Sequence, residues 1–382
     1  MKRLFDLSVF FLLAGCMTPP PRGTADLGVV IERSSGRVVL VETTHRSALA
    51  QVAGLGDLSH ASVVFSRDAR YAYVFGRDGG LTKVDLLRAR VEKRVLQSGN
   101  AIGGAISQDG RLVAVANYEP GGIRIFDAAT LEMLSEVPAG AKVVGIADAP
   151  GNRFVFSLFE AGEIWIADAS NPRAPRVEKL KGIGRQPYDG LVTRDGRYYL
   201  AGLYGEDGLA LVDLWHPEKG ARRILDGYGR GEEPLPVYKM PHLRGWAEAG
   251  RYLFLPAVGH HEVLVVDRTT WQEAARIPVR GQPVFAVAQP GGRRVWVTFA
   301  IPDYDTVQVI NVDRMQVTKE LHPGRAILHV EFTPRGEQAW ISSRDDDAIV
   351  VYDTASFGEL ARLHADKPSG IFLAARAGMT GF

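Results

Sequence analysis

The chain has one cysteine, Cys16, in 382 residues. The rest of it therefore contains no disulfide, no thiolate cluster for a metal and no Cys-x-x-Cys-His haem attachment site. It also lacks His-Glu-x-x-His, Gly-x-Ser-x-Gly and a P-loop, so the signatures of zinc peptidases, serine hydrolases and P-loop nucleotide enzymes are absent. Charge of one sign is missing too: 45 Lys and Arg stand against 44 Asp and Glu, which gives no electrostatic footprint for nucleic acid. Beyond the first 13 residues no apolar run approaches the length of a membrane span, and no stretch keeps a helical period.

What the sequence has instead is a repeat. Phrases such as Ser107-Gln108-Asp109-Gly110-Arg111 precede an apolar run, and a further apolar run then stops at an aspartate. The stops are Asp85, Asp127, Asp168, Asp213, Asp267, Asp313 and Asp353, separated by 42, 41, 45, 54, 46 and 40 residues. An earlier half-copy ends at Glu42. A period near 40 holds four short strands and their turns, one blade of a β-propeller. Within a copy, Tyr71-Ala72-Tyr73-Val74-Phe75 and Leu81-Thr82-Lys83-Val84 are separated by Arg77-Asp78-Gly79-Gly80, two runs too short for helices on either side of a turn. Val263 to Val266 and Ile164-Trp165-Ile166 are continuously apolar, as strands covered on both faces are. The first copy lacks its innermost strand, and Ser369 to Ala375 resembles the missing piece. The expectation is an all-β, eight-bladed propeller closed by its C-terminal strand, which removes the long unpaired edges of an open sheet.

The N-terminus reads as an export signal. Lys2-Arg3 is followed by an apolar region from Leu7 to Leu13 and by Leu13-Ala14-Gly15-Cys16, a bacterial lipoprotein cleavage pattern. Residues 1–15 are then a signal peptide, 16–25 a lipid anchor on Cys16 with a proline-rich spacer, and 26–382 the propeller. This places the protein in the periplasm, attached to a membrane through the lipid.

In a propeller the loops between second and third strands and those between blades share one face, around the central channel. Here they carry His60, Arg77, Asn117, Tyr118, Arg185, Gln186, Tyr188, Tyr204, Lys239, His242, His260, His261 and Arg325. Aromatic rings, histidines and arginines on one mouth suit a large, flat, anionic ligand. The recurring Asp-Gly-Arg turns and strand-ending aspartates are turn chemistry, with Asp bonding nearby amides and Gly supplying positive φ. The long gap between Asp213 and Asp267 holds an insertion, Asp226 to Pro236, readable as a lid or as a spacer. From spacing alone His60 is either a metal ligand or a loop histidine.

The stretch His60-Ala61-Ser62 through Arg70-Tyr71, Gly76-Arg77-Asp78-Gly79 and Val84-Asp85-Leu86 resembles the haem d1 domain of cytochrome cd1 nitrite reductases. So do Gly56-Asp57-Leu58-Ser59-His60, Asn117-Tyr118-Glu119-Pro120-Gly121-Gly122, Gly184-Arg185-Gln186-Pro187-Tyr188-Asp189 and Leu235-Pro236-Val237-Tyr238-Lys239-Met240-Pro241-His242, which are most similar to the lipoprotein relatives of that domain needed for making haem d1. The resemblance implies a haem d1 precursor as cofactor or substrate, with His60 as axial ligand of its iron and Arg77 paired with a macrocycle carboxylate. Asn117, Tyr118, Arg185, Gln186, Tyr204, Lys239 and Arg325 would complete the binding surface. His242, on the other side of the ring, would give acid–base help together with Tyr188 or Asp148 in tailoring or dehydrogenating a side chain. It also implies other haem d1 assembly proteins and nitrite reductase as partners. Two alternatives stand beside this one: a non-catalytic carrier of the same precursor, and an unrelated lactonase-like or interaction propeller.

Overall fold

The structure, a computed structural model, describes residues 23–228, 245–257 and 259–379. It has eight four-stranded antiparallel sheets arranged as the blades of a propeller. Blades 2 to 8 follow in chain order, and each runs from its innermost to its outermost strand. Blade 1 is assembled from both chain ends: Pro368–Leu373 lies inside Leu27–Glu32, with Gly28 opposite Leu373 and Val30 opposite Ile371. The expected closure is therefore present.

Packing follows from the apolar runs. Both faces of a blade are covered by its neighbours, so the second and third strands are buried almost end to end, as in Leu27–Glu32 and Gly80–Asp85. The outermost strands alternate between solvent and cover, as in Arg90–Leu96. Each blade interface has its own apolar cluster. The seam between blades 8 and 1 holds Trp340, Ile349 and Val351 against Val30, Val39, Val41 and Ile371, so closure buries as continuous a core as any internal interface.

The strand-ending aspartates do what turn chemistry requires. Asp85 accepts from the backbone N–H of Leu87 and Arg88 at 3.0 Å each, Asp213 from Trp215 at 3.0 Å and Asp353 from Ser356 at 2.7 Å. Glu42 serves blade 1 in the same way through His45. Blade 7 corrects the sequence reading. Its third strand is Val307–Asn311, and Asn311, rather than Asp313, accepts from the N–H of Arg314 at 2.9 Å. An amide oxygen replaces the carboxylate, which hid the register.

Two faces result. One, the mouth, carries the second-to-third-strand loops and the connections between blades; the far face carries the remaining turns. At the far end of the channel the 3-10 turn Ala374–Gly378 follows the closing strand. Arg376 there binds Glu331 through both guanidinium branches, and Arg67 donates to Ala377 O at 2.8 Å. No helix among the described residues is long and apolar enough to cross a membrane.

Candidate functional site

The loop between Ser47–Val52 and Ser62–Phe65 is built to present a histidine. Leu55 and Leu58 are buried in the cluster between blades 1 and 2 and pin the loop from below. Gly56 has φ +80°, and a Cβ there would overlap the Arg94 guanidinium and the Asp78 carboxylate, so this position needs glycine. Asp57 Oδ1 accepts the Ser59 N–H at 2.8 Å, an Asx turn immediately before His60. Asp57 O accepts the Arg77 N–H at 2.8 Å, and Arg94 ties Asp78 (2.5 Å) and Leu55 O (3.1 Å) from the outer strand. Arg33 reaches over from blade 1 and donates to Ser59 O at 2.6 Å.

His60 itself is half-buried, and burial pushes its imidazole from 6.5 down to about 4, with help from the positive charges of Arg77 and Arg33. It is neutral at physiological pH, with a lone pair free of a proton. Burial also lowers Arg33, and Arg344 and Arg77 lower it further, opposed by Asp57. Three guanidinium groups from blades 8, 1 and 2 thus crowd the same space. Among the described residues Arg33 and Arg77 have no carboxylate within salt-bridge distance, and Arg344 pairs only with the adjacent Asp345, at 2.9 Å. Two guanidinium groups without a salt-bridge partner beside a neutral imidazole, with Asp57 the nearby carboxylate, give the recess a surplus of positive charge.

The mouth continues as an aromatic wall. Phe159 meets Tyr188 edge-on at 5.7 Å, Tyr204 lies 6.1 Å from both, and the hydroxyls of Tyr118 and Tyr188 are 3.4 Å apart. Lys142, ion-paired with Glu160 at 3.1 Å, stands 5.9 Å from the Tyr118 ring. Burial raises the Tyr118 hydroxyl, while Tyr188, Lys142 and Arg77 pull it back, so Arg77 is near enough to join the cationic and aromatic halves. The wall offers flat apolar contact with polar tips.

Of the residues expected from the sequence, His60, Arg77, Tyr118, Tyr188 and Tyr204 come together on this arc. Arg185 and Arg325 are on the mouth but already hold carboxylates: Arg185 binds Glu206 (2.8 Å from its N–H) and Arg325 binds Asp346 (2.9 Å). Gln186, at φ +53°, shapes the loop and accepts the Tyr204 N–H at 2.9 Å. Asn117 is buried inside the blade and its amide is used by Gln97 (2.8 Å) and Ser98 (2.6 Å), so it supports the loop and does not face the mouth. Asp148 is a correction. It is fully buried near the far end of the channel, where it accepts from Gln108 and from Arg67, and an acid–base role beside His60 does not fit that placement. Cys16, Lys239, His242 and most of the insertion lie outside the described residues.

Sequence reasoning missed Arg33, Phe159 and the part played by Arg344. The signal was available in the repeat itself. Arg33, Phe159, Tyr204 and Arg344 each occupy the position immediately after a second strand, following Glu32, Leu158, Leu203 and Ser343. One repeat position therefore supplies cations on one side of the ring and aromatics on the other.

Fold and site together define an eight-bladed propeller whose mouth sets guanidinium groups and an aromatic wall beside the neutral imidazole of His60. The chain belongs to the cytochrome D1 heme domain family, whose pattern matches residues 22–377. It is 57% identical to Protein NirF of Stutzerimonas stutzeri over 383 aligned positions, 98% of each chain. Against Protein NirF of Pseudomonas aeruginosa it is 58% identical over 96% of each chain. Among solved structures it superposes on the dihydro-heme d1 dehydrogenase NirN in complex with DHE with a TM-score of 0.81 at 26% identity, covering 94% of this chain and 78% of that one.

Proposed function

We propose that this protein binds a late haem d1 precursor of the dihydro-haem d1 type at its mouth and acts in haem d1 biosynthesis, in the periplasm, held to a membrane through lipid on Cys16. The observation that carries the reading is His60, a neutral imidazole that follows an Asx turn and stands beside Arg33 and Arg77, neither of which has a carboxylate within salt-bridge distance among the described residues. The donor set fits. A macrocycle already gives its iron four nitrogen ligands and asks the protein for an axial one, and among the described residues no cluster of three His, Cys, Asp or Glu is arranged to hold a bare ion. Arg33, Arg77 and Arg344 match the carboxylates at such a ring's edge, and Tyr118, Phe159, Tyr188 and Tyr204 offer it a wall. The relationship to NirF proteins and to a dihydro-heme d1 dehydrogenase supports the same ligand.

The bound iron tetrapyrrole would supply redox chemistry that no side chain here has. The chain's own part would be to orient the ring, and the Tyr188 hydroxyl, 3.4 Å from that of Tyr118, is the group that would exchange a proton with a ring substituent. An oxidation such as propionate to acrylate needs an electron acceptor, and a chain whose one cysteine is Cys16 carries no c-type haem attachment site to serve as one. That favours, as a second reading, a carrier that hands the precursor to a partner such as another assembly protein or nitrite reductase.

The test is absorption titration of the protein with haem d1 and with its dihydro precursor, in the parent and in His60→Ala, followed by extraction of the pigment. A saturable Soret shift in the parent that is lost in His60→Ala is expected. Recovery of a changed pigment selects the enzyme, and recovery of the same pigment selects the carrier. A parent that gives no shift ends the tetrapyrrole reading.

A further inference from the structure

The N-terminal end of the described chain meets the ring on the face opposite the mouth. Strand Leu27–Glu32 is second from the channel in blade 1 and runs from the far face toward the mouth, so residues 24–26 lie at the far face. They are fixed there. Thr24 Oγ1 donates to Asp68 O at 3.3 Å, the Thr43 N–H to Asp26 O at 2.9 Å, and Thr44 Oγ1 to the Asp26 carboxylate at 2.9 Å. Seven residues separate Cys16 from Thr24, eight Cα–Cα steps that reach about 26–29 Å when fully extended. To lay the mouth on a bilayer the tether would have to pass two strands outward and then the length of a blade, about 30 Å in all. Only a tether stretched to nearly its full length would reach that far, whereas the far face lies at its root.

A second, independent observation concerns exposed apolar side chains. Among the described residues seven large ones are exposed. Leu87, Trp215 and Met379 are on far-face segments, and Met133 and Leu360 are at the far-face ends of outer strands; only Leu96 and Ile301 are at the mouth. Trp215 is further backed by the Arg197 guanidinium, 5.2 Å from its ring, the kind of aromatic and cationic pairing that settles at a membrane–water interface.

We propose that the far face is a membrane-resting surface: the propeller sits on the phospholipid bilayer with Trp215, Leu87, Met133, Leu360 and Met379 at the interface, and its mouth opens away from the membrane. The inference rests on the reading of Cys16 as the lipidated residue. The anchor supplies the affinity and the apolar side chains set the orientation. A ligand or partner then approaches the mouth from the aqueous side, without crossing the headgroup layer.

Because lipidation consumes the sulfur of Cys16, introduced cysteines label cleanly. Asn171, on a far-face loop, and Lys181, on the mouth side, flank the same outer strand, Arg176–Leu180. The lipidated full chain carrying Asn171→Cys or Lys181→Cys is reconstituted into phosphatidylethanolamine–phosphatidylglycerol vesicles, and energy transfer from the label to a lipid-borne acceptor is measured. Transfer from position 171 is expected to exceed that from 181 at least twofold, and the difference to shrink when Trp215→Ser and Met133→Ser are added. Equal transfer, or more from 181, overturns the orientation; a difference untouched by the two serines overturns the role of the apolar residues. Protein that does not partition to vesicles, or does so equally as Cys16→Ser, removes the tether and the inference with it. None of these results touches the pigment titration, so ligand binding at the mouth and orientation on the membrane fail separately.

Discussion

Titration of His60 is the most direct probe of the site. Its imidazole is displaced from 6.5 to about 4, first by burial and then by Arg77 and Arg33. The folded protein keeps His60 neutral across that window, while the unfolded chain takes up a proton as the pH falls below about 6.5. Stability linked to this group is therefore full above about pH 6.5 and declines on acidification to about pH 4, by at most about 3 kcal/mol, since part of the ring still meets water. Selective 15N labelling of the nine histidines, with His60→Gln to assign the signal, reads the midpoint in the ligand-free protein. Arg77→Gln should move the midpoint upward, because a positive neighbour is gone, yet leave it below 6.5, because burial, the larger cause, remains. A parent midpoint near 6.5, or a downward movement in Arg77→Gln, would refute the account of why His60 offers its lone pair. Because His60 stays neutral down to about pH 4, precursor binding should tolerate mildly acid pH in the absorption titration.

Two further outcomes follow from the scaffold. Ile371→Ala removes a fully buried side chain from the seam between blades 8 and 1 and should cost about 2–5 kcal/mol, seen as a lower urea midpoint; an unchanged midpoint would mean that closure contributes little. Gly56→Ala places a Cβ against Arg94 and Asp78 at φ +80° and should strain the His60 loop by about 1–3 kcal/mol. The expected readout is precursor affinity about tenfold weaker at nearly normal secondary structure, and unaltered affinity would show that the loop tolerates the change.

The fold was legible because strands and turns repeat with their own chemistry. The single slip in that register, Asp313 for Asn311, came where an amide does a carboxylate's work. The site was legible only in part, for two geometric reasons. Adjacent residues of a strand point to opposite faces of its blade, and of this pair Asn117 is buried and bonded to Gln97 and Ser98 while Tyr118 reaches the Tyr188 hydroxyl. An innermost strand also runs the full height of the channel. Lys142 stands at the mouth, but Asp148, six residues on, lies about 20 Å away near the far end. Arg33 and Arg344 were hidden for the converse reason, since residues 311 positions apart share a site only once the chain ends close the ring.

What separates functional charges from structural ones here is whether the counter-charge is already in place. Asp85, Asp213 and Asp353 are used by turn amides, Arg185 holds Glu206 and Arg325 holds Asp346. Arg33 and Arg77 hold no carboxylate among the described residues. A guanidinium that gains its first carboxylate from a ligand contributes about 1.5–3 kcal/mol through a charge-assisted bond, which is about 10- to 100-fold in affinity. A rim arginine that must share or exchange a partner gains only about 0–1 kcal/mol. Precursor affinity should therefore fall about 10-fold or more in Arg33→Gln and in Arg77→Gln, and less than about 5-fold in Arg325→Gln and Arg185→Gln. Esterifying the ring carboxylates should erase the difference between parent and the first two variants, because the ligand no longer carries the charge they answer. If Arg325→Gln proved as damaging as Arg77→Gln, a carboxylate partner already in place would not be what separates these arginines, and the criterion would fail.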